Sequence, residues 1–187
     1  MIIETIVSTE NETGNYNFSP LGVRYEEKLF SFVPFKTSRT YSNLMRTRQG
    51  VINFTDDVYL FAGTMLENLV PEYFLSNTIQ GAVIRGTAGY REFRVTEIAD
   101  QDVKVRMKVE IVGEKDFPFS FPGLNRAKFA VIEALIAASR VHILGPEEVD
   151  SEIKRCDLIV EKTGTGQEKR AMEVILRYLK DRSNNGK

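Results

Sequence analysis

The stretch VKVRMKVEIV, residues 103–112, decides the fold of the N-terminal part of the chain. Apolar residues occupy its odd-numbered positions, and charged residues occupy the even-numbered positions from 104 to 110. This strict period of two predicts a β-strand with one face in a core and the other in water. Residues 90–98 are rich in β-branched and aromatic side chains and predict the strand before it. These are the two clearest strands in the sequence.

Working outward, four earlier segments have the short, β-branched and aromatic composition of strands. They are residues 2–8, 16–24, 28–35 and 49–55. Asp56 and Asp57 then provide an N-cap for a short helix that runs through Val58 and Leu66. Six strands with only short helices between them predict a closed antiparallel barrel. The expected fold class is therefore mainly β (α+β), with a β-barrel domain over residues 1–120.

The chain changes character near its last third, where the predicted elements are long helices. Prolines and a glycine in the segment 117–123 predict a hinge. Three helices are expected, at about 125–140, 147–162 and 167–182. In the third helix, Glu173 is placed to meet Arg177, and residues 183–187 are expected to be frayed. The sequence thus predicts a C-terminal helical subdomain over residues 121–187.

The 187-residue chain has a globular composition with 42% hydrophobic residues, 27% charged residues and a formal net charge of −1. A dedicated binder of nucleic acid or anionic membrane needs an excess of Lys and Arg, so both classes are disfavoured. The single cysteine, Cys156, fits a reducing compartment. Residues 1–4 lack the features of a signal peptide, and the longest apolar region, 127–139, is too short to span a bilayer. These features predict a cytoplasmic protein that binds neither nucleic acid nor membrane.

Few side chains in the sequence could carry catalysis by themselves. His142 is the only histidine, and its apolar neighbours at a helix end favour a packed or capping role. Cys156 lies within a predicted helix, which favours a packed thiol over a redox centre. The segment 164–166 follows a helix and is interpreted as a C-cap and turn rather than as half of a nucleotide loop. No metal site is predicted, and redox or group-transfer chemistry would have to come from a cofactor.

The stretch KTSRTYSNL, residues 36–44, joins a predicted strand to a short helix. Backbone N–H groups at a helix N-terminus have no partner within the helix and bind phosphate oxygens. Arg39 can add a charge-assisted pair, and Ser38 and Thr40 can add neutral donors. The alternative is that Ser38 only caps the helix while Lys36 and Arg39 are solvated. The residues alone leave both interpretations open.

A second feature precedes this one, in the stretch NFSPLGV, residues 17–23. Proline cannot donate to a central β-ladder, so Pro20 predicts that this strand bulges or lies at a barrel mouth. Backbone amides exposed there could bind the edge of a planar heterocycle. A simple edge strand is the alternative interpretation.

Three motifs, at residues 17–20, 39–44 and 50–54, resemble consecutive elements of the flavin-reductase-like FMN-binding split β-barrels. In that superfamily an Asn-x-Ala/Ser-Pro strand contacts the isoalloxazine ring. A Thr-x-x-Asn-Ile/Leu helix start binds the phosphate, and a Phe-Val-Val-Asn-type strand completes the pocket. More closely, nearly the whole chain is similar to an uncharacterised, mainly archaeal family in which this barrel carries a helical C-terminal extension. Residues 121–127 and 138–140 match that extension.

The resemblance implies FMN as the cofactor and assigns residues to its binding site. Beside the ring it places Asn17, Phe18, Ser19 and Pro20. At the phosphate it places Ser38, Arg39 and Thr40, with Lys36 and Asn43 nearby, and on the pocket wall it places Asn53. Such barrels usually dimerise with the flavin between subunits, so the resemblance also implies a homodimer. In that homodimer, Asn125 and Arg126 would reach the partner's cofactor.

The implied function is that of an FMN-dependent oxidoreductase whose substrate and electron donor the sequence does not name. After the third motif the chain departs from typical flavin reductases, because no nicotinamide-binding segment is recognisable. The alternative is a non-catalytic carrier or sensor of flavin or deazaflavin that acts through a protein partner. Haem is disfavoured, since His142 is the only available imidazole ligand.

Overall fold

Six antiparallel strands close into a barrel in the computed structural model of the protein, which describes residues 1–26, 29–118, 123 and 125–185. The strands are β1 Ile2–Glu10, β2 Tyr16–Glu26, β3 Leu29–Phe32, β4 Gln49–Phe54, β5 Tyr73–Leu75, β6 Ala82–Ile84, β7 Gly89–Gln101 and β8 Lys104–Asp116. The barrel order is β1-β2-β3-β8-β7-β4, and β5 and β6 form a separate two-stranded sheet. The predicted barrel is confirmed, and the β5–β6 sheet adds to it.

The helices are α1 Arg39–Thr47, α2 Val58–Leu66, α3 Arg126–Ser139, α4 Pro146–Thr163 and α5 Gly166–Asn185. The chain divides into two compact units. The barrel unit consists of Met1–Thr55 and Val70–Phe119, and the helical unit consists of Asp56–Leu69 and Ser120–Lys187. The helical unit thus includes α2, which the sequence assigned to the barrel domain.

The barrel core contains the apolar faces of the alternating strands. Val105, Met107 and Val109 of β8 are buried, whereas Arg106 and Lys108 are exposed, as the period of two predicts. The core also contains Phe32 and Phe93, whose rings meet edge to face with centroids 5.4 Å apart. Leu44 of α1 is fully buried in the same cluster. This burial holds α1 against the barrel.

Strand β2 has only one neighbour over most of its length. Its residues 23–26 pair with β3, but among the described residues 16–22 pair with β1 alone. The β1–β2 register runs without a shift, and Pro20 lies opposite Ile6. Pro20 therefore lies on an open edge of the barrel and not at a bulge, so its missing N–H interrupts no ladder.

The helical unit begins with the predicted N-cap at Asp57, whose carboxylate accepts from the amides of Tyr59 at 2.9 Å and Leu60 at 3.2 Å. Helix α2 packs against α3 and α5. In α5, Met172 and Ile175 are buried, whereas Leu176 is exposed. No helix in the described part of the chain is both long and apolar enough to span a membrane.

One predicted detail of α5 is wrong. Arg177 does not pair with Glu173; its guanidinium instead donates to Glu67, just after α2, including a bond from Nε at 3.2 Å. The reason is the packing of α2 beside α5, which brings a carboxylate from far along the chain. The helix extends to Asn185, and the expected fraying from residue 183 stays a prediction. Residues 186–187, and residues 119–122 of the predicted hinge, lie outside the described residues.

Candidate functional site

The N-terminus of α1 is built by the segment that the sequence singled out. Ser38 is the N-cap, and its Oγ accepts from the Tyr41 amide at 3.2 Å while donating to the Phe35 carbonyl at 2.7 Å. The Ser42 amide makes the first intrahelical bond, to the Ser38 carbonyl at 3.2 Å. The amides of Arg39 and Thr40 therefore lie in the first turn, where a helix supplies no acceptor. This geometry, together with the helix dipole, suits an anion.

A buried polar cluster joins this helix start to the open edge of β2. Asn17 Nδ2 donates to Thr40 Oγ1 at 3.4 Å, and Asn43 Nδ2 donates to Thr9 Oγ1 at 3.0 Å. Thr9 lies directly opposite Asn17 in the β1–β2 ladder. Thr9, Thr40 and Asn43 are buried, so these bonds satisfy groups that water does not reach. The structure thus brings together the strand motif and the helix motif that the sequence identified separately.

Thr9 is a member of this cluster that the sequence did not single out. It belongs to no motif, and it enters the site because the strand register places it against Asn17. Only the pairing register of the β1–β2 hairpin could have identified Thr9 from the sequence.

The side chains of the strand motif lie on two different faces of β2. Asn17 faces the α1 side, whereas Phe18 is buried on the other face, with its ring centroid 5.5 Å from that of Tyr73. The ring of Tyr73 also meets that of Tyr16 at 5.6 Å. A planar ligand can therefore contact the side chains of only one face, or the backbone edge between them. Tyr73 is a second residue of this region that the sequence did not predict.

Lys36 and Arg39 supply the positive charge near the helix start. Lys36 Nζ donates to both carboxylate oxygens of Asp100, at 2.8 and 2.7 Å. The hydrogen bond from Lys36 lowers the pKa of Asp100 below its usual value. Arg39 is exposed on the first turn of α1. The Lys36 ammonium is therefore paired with a carboxylate on the protein surface. Its expected place near the phosphate stays a prediction.

Asn53 is fully buried, and both ends of its amide are bonded within the barrel unit. Its Nδ2 donates to the Ile6 carbonyl at 3.1 Å, and its Oδ1 accepts from the Ile84 amide at 2.9 Å. The side chain therefore connects β4 to β1 and to β6. Its expected place on the wall of a flavin pocket stays a prediction.

Asn125 and Arg126 belong to the helical unit. Asn125 is the N-cap of α3, and its Oδ1 accepts from the Ala127 amide at 2.9 Å. Arg126 is exposed in the first turn of the same helix. Their expected approach to a partner's cofactor stays a prediction.

The groups most often used in catalysis are not assembled in the described residues. No group of three or more His, Cys, Asp or Glu residues is placed there to hold a metal ion. Cys156 is buried in α4, and burial raises the pKa of its thiol to about 11. Such a thiol is a poor nucleophile at neutral pH, as the packed-thiol interpretation predicts. Gly164 is the C-cap of α4, which confirms the predicted turn.

Comparison with known proteins identifies a family and a fold. A model for the N-terminal domain of the family of unknown function DUF447 matches residues 3–116, and a second DUF447 model matches residues 125–177. An FMN-bound DUF447 protein from Methanosarcina mazei superposes with a TM-score of 0.85 at 24% identity, covering 95% of this chain and 94% of that one. A 2-nitrobenzoate 2-nitroreductase from Pseudomonas fluorescens superposes with a TM-score of 0.56 at 20% identity, over 61% and 64% of the two chains. The flavin reductase HpaC, complexed with NADP+, superposes with a TM-score of 0.57 at 17% identity, covering 64% of this chain and 81% of that one.

Proposed function

The chain belongs to the DUF447 family of proteins of unknown function, and from this premise we propose that it binds FMN and acts as an FMN-dependent oxidoreductase. The observation that carries the proposal is the bond from Asn17 to Thr40, which places an open strand edge beside a helix N-terminus. The first can bind a heterocycle and the second a phosphate. The FMN-bound state of the structurally similar Methanosarcina protein supports the same ligand.

In this proposal two groups of residues bind different parts of FMN. The first-turn amides of α1 and the side chains of Ser38, Arg39 and Thr40 hold the phosphate, with Lys36 adjacent. The open edge of β2, from Asn17 to Pro20, borders the isoalloxazine ring. When bound, FMN supplies the one- and two-electron redox chemistry for which the described side chains offer no substitute.

The first experiment asks whether the protein binds flavin at all. Protein purified without added cofactor is expected to be yellow, or to bind one FMN per chain on titration. Mass spectrometry of the released ligand distinguishes FMN from deazaflavin and from haem. A colourless protein that shows no FMN titration would remove the proposal.

A substitution at Arg39 tests the phosphate assignment. Arg39→Ala is expected to weaken FMN binding by about tenfold or more, while riboflavin, which lacks the phosphate, is affected little. The matched control is Arg46→Ala near the other end of α1, where the side chain donates to the Glu10 carbonyl at 2.6 Å. An unchanged ratio of FMN to riboflavin affinity in Arg39→Ala would take the phosphate role from this residue.

The oxidoreductase role has its own test. Anaerobic addition of NADH or NADPH to the FMN complex should bleach the flavin absorption if a nicotinamide is the electron donor, and dithionite should bleach it in every case. A complex that dithionite reduces but that passes no electrons to quinone, nitroaromatic or flavin acceptors would favour the carrier function over catalysis.

We also propose that the protein is a homodimer with the flavin between subunits. The open edge of β2 offers a planar ligand one wall, and a second subunit would supply the other, with Asn125 and Arg126 as the contributing residues. Light scattering is expected to give twice the chain mass of 21.3 kDa. A monomer that binds FMN tightly would show that one chain completes the pocket.

A further inference from the structure

The loop that leads into α1 is attached to the tip of the β7–β8 hairpin. The Val105 amide donates to the Pro34 carbonyl, and the Lys36 amide donates to the Val103 carbonyl, each at 3.1 Å. At the other end of the same loop, the Ser38 amide donates to the Phe35 carbonyl at 3.0 Å. The hairpin tip therefore fixes the backbone from which both Lys36 and the N-cap of α1 project.

Asp100 lies at this tip, and its carboxylate is oriented before any ligand binds. Its carboxylate accepts two bonds from the Lys36 ammonium, at 2.8 and 2.7 Å. The tight turn that follows includes Asp102, which has a left-handed φ of 58°. The Lys36 side chain keeps 34% of its surface exposed, so an anion from solvent can reach it.

These contacts point to a competition for one cation. Lys36 precedes the N-cap Ser38 by two residues, and a phosphate bound at the first turn of α1 would be within the range of its charge. In the structure that charge faces a carboxylate. The carboxylate compensates part of the charge that the ammonium could otherwise offer to a phosphate.

We propose that Asp100 is a specificity-determining residue. As the counter-ion of Lys36, it limits the preference of the site for a phosphorylated flavin over an unphosphorylated one. This inference rests on the proposed binding of FMN. It concerns the strength of phosphate selection and not the binding of the ring.

The test compares the ratio of FMN to riboflavin affinity between variants. Asp100→Asn removes the charge and keeps the size and shape of the side chain. It is expected to raise the ratio by about two- to fivefold, the range that corresponds to the strength of exposed ion pairs. The matched control is Glu97→Gln, which removes the partner of Lys108 on the same hairpin, a pair at 2.7 Å, and should leave the ratio unchanged.

A double-mutant cycle tests whether Asp100 acts through Lys36. Lys36→Gln is expected to lower the ratio, and in that background Asp100→Asn should change it by much less than in the wild-type protein. A ratio that is unchanged or lower in Asp100→Asn, while the wild-type protein binds FMN, would overturn this inference alone. An effect of equal size with and without Lys36 would also overturn it, because Asp100 would then act directly on the phosphate. Wild-type protein that fails to bind FMN would overturn the proposed function itself.

Discussion

Asn53 shows how one buried amide can fix the position of three strands. Its side-chain oxygen accepts from the Ile84 amide on β6, and its side-chain nitrogen donates to the Ile6 carbonyl on β1. The backbone of Asn53 itself belongs to β4. Neither partner residue is near it in sequence. A buried polar group of this kind contributes mainly because the alternative, an unpaired donor or acceptor, is unfavourable.

Asn53→Ala is therefore expected to lower the free energy of unfolding by about 2–4 kcal/mol, since the hydrogen bonds with Ile6 and Ile84 are lost and buried groups remain unpaired. Urea unfolding measures this. Asn15→Ala, at an exposed turn where the side-chain amide donates to the Thr13 hydroxyl, should change the stability by less than about 0.5 kcal/mol. Unchanged stability with lost FMN binding would instead assign Asn53 to the ligand.

The beginning of α5 shows the same logic in a whole element. Glu168 is buried in the first turn, and its carboxylate accepts from the amide of Thr165 at 2.8 Å and from its hydroxyl at 2.6 Å. This is one of the two hydrogen bonds of a capping box, in which the side chain of the third helix residue accepts from the backbone amide of the residue before the helix. Burial alone would raise the pKa of Glu168. The hydrogen bonds from Thr165 and from the backbone of Glu168, together with the charge of Lys128, outweigh burial and lower the pKa.

The stability from Glu168 should therefore depend on pH in one direction. Because its pKa is lower in the folded state, its contribution is present above about pH 4.5 and is lost as the pH falls through the folded-state pKa. Glu168→Ala is expected to lower the stability at pH 7 by about 1–2 kcal/mol. The control, Glu147→Ala in the exposed first turn of α4, should have at most about half that effect. Identical acid-unfolding curves for wild type and Glu168→Gln would contradict the role.

At the scale of the whole molecule, the two compact units do not follow the order of the chain. Residues 56–69 leave the barrel unit after β4, contribute α2 to the helical unit, and the chain then returns to form β5. Val58, Phe61 and Ala62 of α2 are buried, and α2 packs against α3 and α5. Residues 1–118 therefore include an apolar helix whose packing partners α3 and α5 come later in the chain.

A chain ending at residue 118 is expected to be poorly soluble or to bind a hydrophobic dye, because it retains α2 without α3 and α5. Phe61→Ser should improve the solubility of this truncated chain, whereas in the full chain it should lower the unfolding temperature. The soluble fraction, dye fluorescence and thermal unfolding measure these effects. A truncated chain that is soluble, unfolds cooperatively and binds no dye would show that α2 does not need the helical unit.

The sequence by itself determined the elements whose signals are local. The alternation in residues 103–112 predicted β8, and Ser38, Asp57 and Asn125 were recognisable as helix starts. A cap and its amide lie within a few residues, and the period of a strand or helix depends only on neighbouring positions. The barrel class follows from the number and length of such segments.

Tertiary structure alone decided which distant side chains meet. The bond from Asn43 to Thr9 spans 34 residues and the pair of Lys36 with Asp100 spans 64. The meeting of Arg177 with Glu67 spans 110 residues. The three-residue strands β5 and β6 are too short to show a period. These features depend on strand register and helix packing, which the whole chain sets together, so no local pattern predicts them.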